Sequence, residues 1–498
     1  MIYSLDYFTE LPNIIELINY ENVPIKSIKF DSRKVEKGDI FICLSGDNTD
    51  GHKYIQDAVN NGATAVVSEK ESNSISIPQI IVKSSREACS LLAQKYYDNS
   101  VDKLKKIAVT GTTGKTSIAY LIYIAINFIT NNKCSLIGTA GYFSKDKKLD
   151  MSLSGPVTTP EPFELNSFFK SFYDDGCEYV VLEASSFGMA QKRLFGIEFD
   201  TAVLSNISFS HHIKYHGSYE EYIKSKVDLF KQVKKNSLSV FNSDSEHLTD
   251  FLLTAEKYIT YGYKSRSDIK ITNLSLSEKS SNSFTLTYNG KDYSGTTKLP
   301  GLYNIYNIAA AFGSGIALDF DLDTFFNSLL MVESIPGRWD LISSDHPSKI
   351  IIDKANTPIA IENISGLINT SKYKTKIAVF GNVGGGERNE RIRLAKLLQD
   401  LFNIIIITTD DPEFEDPQIG INDFLSGIDK DRIKDCIVEI KREDAIRRAI
   451  NIGKEGDLVA ILGRGNQREF LVSGKTLDFD DTIITRKILI DAGYKVEN

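Results

Sequence analysis

The stretch KIAVTGTTGKTSIAYLIYIAINFIT, Lys106–Thr130, divides into three parts. Ile107 to Thr110 is a short apolar, β-branched run that suits a buried strand. Gly111 to Thr116 is a glycine-punctuated loop ending in Lys-Thr. From Ser117 onward Ile118, Leu121, Ile122, Ala125 and Phe128 recur at helical spacing, which predicts one apolar helix face. Strand, glycine-rich turn and helix in that order form a cradle for nucleotide phosphate. The glycines, Gly111 and Gly114, let the N–H groups of the loop, Thr112 and Thr113 included, approach phosphate oxygens, and the helix N-terminus adds partial positive charge. Lys115 is placed to bridge β- and γ-phosphates, and Thr116 to hold Mg²⁺, with Ser117 completing the turn. The loop is shorter than the general pattern, because Val109 stands where a first glycine is usual.

Around this motif lie 498 residues, too many for one ordinary core, so three domains are expected. The chain is 42% hydrophobic and 25% charged, the composition of a soluble globular protein. Its net charge of −8 comes from interspersed acids and bases, which argues against a nucleic-acid or membrane surface. No basic region followed by an apolar one opens the chain, and no apolar run reaches membrane-spanning length, so a cytoplasmic location is expected. Cys43, Cys89, Cys134, Cys177 and Cys436 are scattered and lack metal-binding spacing, which suits reduced thiols.

Ahead of the cradle, short strands and helices alternate. Gly38 to Leu44 and Ala63 to Val67 are apolar strands, and Asp50 opens a helix through Ala58. Asp31-Ser32-Arg33 is, taken alone, a polar turn. After the cradle, Tyr179 to Leu182 is a core strand with Glu183 at its C-terminal end, where ligands bind in open α/β sheets. A carboxylate there, beside a phosphate cradle, suits a Mg²⁺ ligand or a water positioner. Thr201 to Leu204 leads to Ser210-His211-His212-Ile213-Lys214-Tyr215-His216-Gly217, which holds three of the six histidines. Such a cluster is either polar surface or, at His212, a metal ligand. In the helix predicted over Ser218 to Val233, Tyr219, Tyr222, Ile223, Phe230 and Val233 mark one apolar face, and Lys226 falls on it while Lys224 points away. A lysine there either snorkels or acts as a functional amine whose pKa burial has lowered. Beyond Pro336-Gly337-Arg338-Trp339, Ile350 to Asp353, Ile377 to Gly381, Ile404 to Thr408 and Leu458 to Gly463 are near-continuous apolar strands, the mark of a parallel sheet buried on both faces.

TGTTGKTS, VTTPE, LEASS, the YHG loop with Lys226, GLYNIYN, PGRWD and GGERN…TTDDPEFEDP occur in one order along the chain. In that order they resemble the Mur ligases, and with Asp31-Ser32-Arg33 the arrangement is most similar to the UDP-N-acetylmuramoyl-tripeptide synthetases. The resemblance implies three α/β domains: residues 1–104 binding the UDP-sugar, 105–336 forming a P-loop ATPase, and 337–498 forming a Rossmann-like amino-acid-binding domain. It implies that ATP phosphorylates the terminal carboxylate of a UDP-muramoyl-dipeptide, and that the amine of a third amino acid displaces the phosphate. Lys115, Glu183, His212 and Lys226 match the catalytic positions, with Mg²⁺ on Thr116, Glu183, His212 and a carbamylated Lys226. Asn304, Arg338 and Asp353 match the adenine and ribose side. Ser32, Thr158, Thr159, Ser185 and Arg193 match the nucleotide-sugar side. Arg388, Asp410, Asp411, Glu413, Arg464 and Gln467 match the amino-acid side. A monomer in peptidoglycan precursor synthesis is expected.

The chain departs from the family at several of these places. Thr113 replaces the usual Asn, His211 an Asp, and Phe187 a His. Asp353-Lys354-Ala355-Asn356 stands for Asp-Tyr-Ala-His, and Gly463-Arg464-Gly465-Asn466-Gln467 for Gly-Lys-Gly-His-Glu. Relatives that use meso-diaminopimelate carry Asp-Asn-Pro-Arg, whose arginine grips the second carboxylate in a bidentate fork. Asp410-Asp411-Pro412-Glu413 stands there instead, so like charges would meet and L-lysine is the expected amine. The alternatives are a related ligase joining another carboxylate and amine, or a nucleotide-binding homologue without turnover.

Overall fold

A computed structural model describes every residue except 1–2, 47–49, 150–156, 209–214, 277–280, 371, 430, 432–435, 474 and 498. The chain divides into two units. The first comprises Met1–Lys105 with two later segments, Thr159–Glu178 and Phe187–Glu198. Its five-stranded sheet runs Ile14–Ile18, Gln79–Val82, Ala65–Ser68, Asp39–Ile42, Ser27–Lys29. The first pair is antiparallel and the others parallel. Ser84 caps the helix Ser85–Tyr96 by accepting the Glu87 N–H at 3.3 Å. Phe163, from the later helix Pro162–Asp174, packs on the core of Leu5, Phe8, Ala88 and Leu92.

The second unit holds two large sheets and a two-stranded ribbon, Glu469–Val472 with Lys475–Asp478. In the eleven-stranded sheet, the phosphate-loop strand Lys105–Thr110 lies between Tyr179–Glu183 and Thr201–Leu204. The strands around it are parallel, and antiparallel hairpins close both edges. Ile107 and Val109 face the helices Lys115–Thr130, Leu302–Ala317 and Leu322–Leu330 across one continuous core. Each fully buried Ile or Leu there contributes about 1.5–3 kcal/mol by leaving water. Ile118, Leu121, Ile122 and Ala125 are buried as their spacing predicts, but Phe128 is 55% exposed. The correction has a simple cause: Phe128 lies in the last turn of the helix, which ends at Thr130 with Asn131 in the left-handed region.

The second sheet runs Asp340–Ile342, Lys349–Asp353, Leu458–Leu462, Lys376–Asn382, Ile404–Thr409, Cys436–Val438, and only its first strand is antiparallel. Ile351, Phe380 and Ile407 enter a core on one face, and Ile350, Ile352, Val379 and Ile406 one on the other. Successive side chains alternate across a strand, so burial of both faces produces the unbroken apolar runs of the sequence. The glycine at the junction, Gly337, has φ +67°, and a Cβ there would fall 2.3 Å from the Asn466 nitrogen.

Candidate active site

Gly111 (φ +143°) and Gly114 (φ +84°) give the phosphate loop its curvature. A Cβ on Gly111 would lie 1.9 Å from Ser205 Oγ. Asn206 fixes the loop from the next strand end. Its Oδ1 accepts the Thr113 N–H at 3.1 Å, and its carbonyl accepts the Thr112 N–H at 2.8 Å. Lys115 donates to the Gly111 and Thr112 carbonyls at 2.9 and 3.1 Å. Burial, reinforced by Arg338, holds its pKa below the usual lysine value against the pull of Glu183. Thr116 and Ser117 are buried in the first helical turn.

Glu183 ends its strand beneath this loop and is 1% exposed. Its Oε2 accepts from the Thr116 hydroxyl at 3.0 Å and its Oε1 from the Thr139 N–H at 2.6 Å. Gly138 leaves room for it, since a Cβ there would come within 2.4 Å of Oε1. A hydroxyl and a buried carboxylate at a phosphate cradle are the hard oxygen donors Mg²⁺ takes, so the residues present fit that ion. Among the described residues no cluster of three or more His, Cys, Asp or Glu side chains has metal-binding geometry.

Lys226 is 1% exposed on the buried face of the helix Tyr219–Phe230. The helix is capped by Ser218 and ends three residues before the expected Val233, which instead bridges to Phe199. Lys226 Nζ donates to the Gly111 carbonyl at 2.8 Å and sits 4.8 Å over the Tyr222 ring. Burial, with Lys115 adding repulsion, holds its pKa well below the ordinary lysine value. Lys224 is exposed and pairs with Glu221 at 3.0 Å. His211 and His212 lie outside the described residues. His216 lies within them, edge-on to Tyr222 at 5.5 Å, and its buried Nε2 has no hydrogen bond among the described residues. Burial and then Lys226 lower its pKa.

The phosphate loop from Thr112 to Ser117 and Glu183 open onto a cavity of about 1080 Å³ between that loop and the second sheet, and Lys226 and His216 are not among its lining residues. Arg338 and Asp353 line the cavity, whereas Asn304, 2% exposed within the helix that begins at Leu302, is not among the lining residues. Asn304 donates to the Pro300 carbonyl at 2.8 Å and accepts from Asn307 at 3.0 Å. Arg338 donates to Thr116 Oγ1 at 2.9 Å and to the Gly337 carbonyl at 2.9 Å. Asp353 accepts the Trp339 and Ala355 N–H groups at 2.6 and 2.8 Å. Asp411 and Gln467 line the far wall with Glu362, Glu387 and Glu390.

The amino-acid-side residues separate into two groups. Arg464, 0% exposed, donates to Asp410 at 2.7 Å and Asp411 at 2.8 Å, and Gln467 donates to Asp411 at 2.7 Å. Arg388 is exposed and pairs with Asp423 at 3.4 Å, while Glu413 lies off the cavity wall, its backbone bonded to Leu471 and Ser473. The nucleotide-sugar residues fall in both units. In the first, Arg193 pairs with Glu161 at 2.5 Å and donates to the Thr159 carbonyl at 2.6 Å, and Ser32 is buried in a short 3₁₀ turn. In the second, Thr158 lines the cavity and Ser185 follows the Glu183 strand end.

Asn206, Thr139, Gly138, Tyr222 and Lys354 belong to the site without having been singled out for it in sequence. Tyr222 bonds Thr112 Oγ1 through its hydroxyl at 2.9 Å. Only Lys354 carried a signal, as a charge where the family has tyrosine.

A glycine-rich cradle, a buried carboxylate beneath it and a second α/β layer across the cavity define an ATP-dependent ligase of the ADP-forming class. Three family descriptions match in order: "Mur ligase family, catalytic domain" over residues 24–97, "Mur ligase middle domain" over 109–315, and "Mur ligase, glutamate ligase domain" over 337–465. A UDP-N-acetylmuramoyl-L-alanyl-D-glutamate–2,6-diaminopimelate ligase of Clostridium botulinum is 34% identical over 93% of this chain and 95% of its own. A solved structure of a ligase with that same name is 28% identical, covers 99% of both chains and has a TM-score of 0.66. The MurF ligase of Thermotoga maritima in complex with ADP shares the fold at 22% identity and a TM-score of 0.59, over 88% of this chain and 93% of that one. The chain belongs to the Mur ligase family, with that family's three-domain α/β fold.

Proposed function

We propose that the chain joins L-lysine to the terminal carboxylate of UDP-N-acetylmuramoyl-L-alanyl-D-glutamate, with conversion of ATP to ADP and phosphate, as a cytoplasmic monomer in peptidoglycan precursor synthesis. Residues 1–104 bind the UDP-sugar, with Ser32, Thr158, Thr159, Ser185 and Arg193. Residues 105–336 bind ATP, and 337–498 present the amino acid. A carboxylate oxygen attacks the γ-phosphorus, and the bond to the β-phosphate oxygen breaks with its electron pair leaving on ADP. The amine nitrogen then attacks the acyl carbon, phosphate departs with the C–O electron pair, and the nitrogen sheds one proton.

The chain's own residues carry these steps by charge placement. Lys115 and the N–H groups of the first helical turn orient the phosphates, while the Thr112 and Thr113 N–H groups stay on Asn206. Arg338 braces the Thr116 hydroxyl at the phosphate end, and Asp353 meets the nucleoside end. Thr116, Glu183, His212 and Lys226 would hold Mg²⁺, which supplies positive charge between two approaching anions. Lys226 suits that task as a carbamate: its neutral amine adds CO₂, forms an N–C bond and releases one proton, becoming an oxygen-bearing anion. Its lowered pKa favours the neutral form that this needs.

The choice of lysine rests on one observation, the charge of the far wall. Arg464 faces two carboxylates, Asp410 and Asp411, and Arg391 faces Glu415 and Asp423. Both arginines are outnumbered, and Glu387 and Glu390 line the same wall. Asp411 therefore takes the part expected of Glu413. Such a wall attracts a side-chain ammonium and repels a second carboxylate. The names of the relatives make meso-diaminopimelate the second reading. A competition assay with equal L-lysine and meso-diaminopimelate should yield the lysyl product in at least tenfold excess. A preference for meso-diaminopimelate would overturn the assignment.

A further inference from the structure

Of the cations lining the cavity, the reading above leaves two unused, the exposed Lys264 and the half-buried Lys354. Lys354 is the first residue beyond the strand Lys349–Asp353, and its side chain lines the cavity. Its backbone is held on both sides. The Lys354 N–H donates to the Gly337 carbonyl at 3.2 Å, and Asp353 is clamped by the N–H groups of Trp339 and Ala355. The side chain therefore leaves a fixed point on the cavity wall. Its surroundings are charged on two sides: Arg338 and Glu183 from the phosphate cradle, Asp411 and Asp410 from the far wall.

The other buried cations near the cavity are committed. Lys115 and Lys226 donate to carbonyls, Arg338 to Thr116 and Gly337, Arg464 to Asp410 and Asp411, and Arg391 to Glu415 and Asp423. Among the described residues the Lys354 ammonium makes no hydrogen bond and no ion pair. Lys354 is half-buried and its side chain lines the cavity, so an anion entering there meets a cation that no protein carboxylate already holds. The anion that must occupy the space between the cradle and the amine-side wall is the phosphoryl group in transit.

The geometry points to Lys354 as the cation that holds the transferred phosphoryl group, first in the acyl phosphate and then as departing phosphate. Its ammonium gives charge-assisted hydrogen bonds to phosphate oxygens and favours phosphate as the leaving group when the amine attacks. This rests on ADP-forming ligase chemistry alone and is independent of which acceptor or amine is used.

The test is calorimetric titration of inorganic phosphate into the full chain saturated with ADP and Mg²⁺, for wild type, Lys354→Met and Lys354→Arg. Lys354→Met should weaken phosphate binding at least tenfold, leave ADP affinity within twofold and leave the KM for the amino acid unchanged. Lys354→Arg should keep phosphate binding. Wild-type phosphate affinity in Lys354→Met, or undetectable phosphate binding by the wild type, would overturn the proposal. So would a raised KM for the amino acid with phosphate binding intact, which would assign the ammonium to that substrate's carboxylate. A lowered thermal midpoint with ADP and phosphate weakened alike would make Lys354 structural.

Discussion

A single amine, Lys226, stands where an apolar side chain would pack without cost, against Tyr222 and the Gly111 carbonyl. Lys226→Ala should leave the fold intact and lower kcat/KM about 10²–10³-fold or more, as loss of one preorganised charge typically does. A short carboxylic acid should restore part of the rate by supplying the missing oxygens, and full activity of the variant would exclude the carbamate. Lys224→Ala, two residues away and solvent-facing, should change neither stability nor turnover. Lys354 has a second signature, in the pH dependence of stability. Burial first, and then Arg338, push its pKa down to about 8 from an ordinary 10.5. Between those values the unfolded chain carries a proton there that the folded chain has lost. Stability contributed by this site therefore rises as pH climbs from about 8 to 10.5, and the full penalty applies below 8. Urea unfolding across that range should show the rise in wild type and a flatter profile in Lys354→Met; identical profiles would contradict the shifted pKa.

At the scale of elements, the site is made by strand ends that deliver side chains to one edge of the sheet. Cys134–Gly138 ends on a glycine because the Glu183 carboxylate from the neighbouring strand lies across it. Gly138→Ala should fold but displace that carboxylate, raising the Mg²⁺ concentration for half-maximal rate about tenfold; an unchanged Mg²⁺ dependence would separate Glu183 from the ion. Much of this was legible beforehand. The cradle is contiguous in sequence, the apolar strands announce burial on both faces, and Lys226 declares itself because helical spacing fixes which way it points. What stayed hidden depends on residues far apart. The Arg464–Asp411 pair spans 53 positions, and the space Gly138 yields to Glu183 spans 45, so no local pattern records either. Glu413 was placed on the wall by its neighbours in the motif, yet φ +54° and its backbone pairing with Leu471 carry it off that wall. Phe128 was assigned to the core by a periodicity that holds only while the helix continues.

At the scale of the whole chain, connectivity matters as much as geometry. The first unit is not a contiguous length of sequence: after Lys105 the chain builds four of the eleven strands of the nucleotide-binding sheet, supplies Thr159–Glu178 to the unit it left, returns for the strand Tyr179–Glu183, and then supplies Phe187–Glu198. Phe163 is part of what covers Leu92 and its neighbours, and Gln94 donates to the Phe195 carbonyl at 2.8 Å. A fragment of residues 1–105 should therefore show no cooperative thermal transition by circular dichroism, whereas a sharp one would mean the later segments only decorate a finished core. The same threading sets a schedule for the protein's birth. On a ribosome that releases residues in order, the first hundred emerge early yet cannot close their core until about residue 198 has cleared the exit, which at roughly 5–20 residues per second is a wait of several seconds. During that interval the strands of the first sheet carry exposed apolar faces, so a chain whose amino-terminal part is made first is one whose amino-terminal part is protected late.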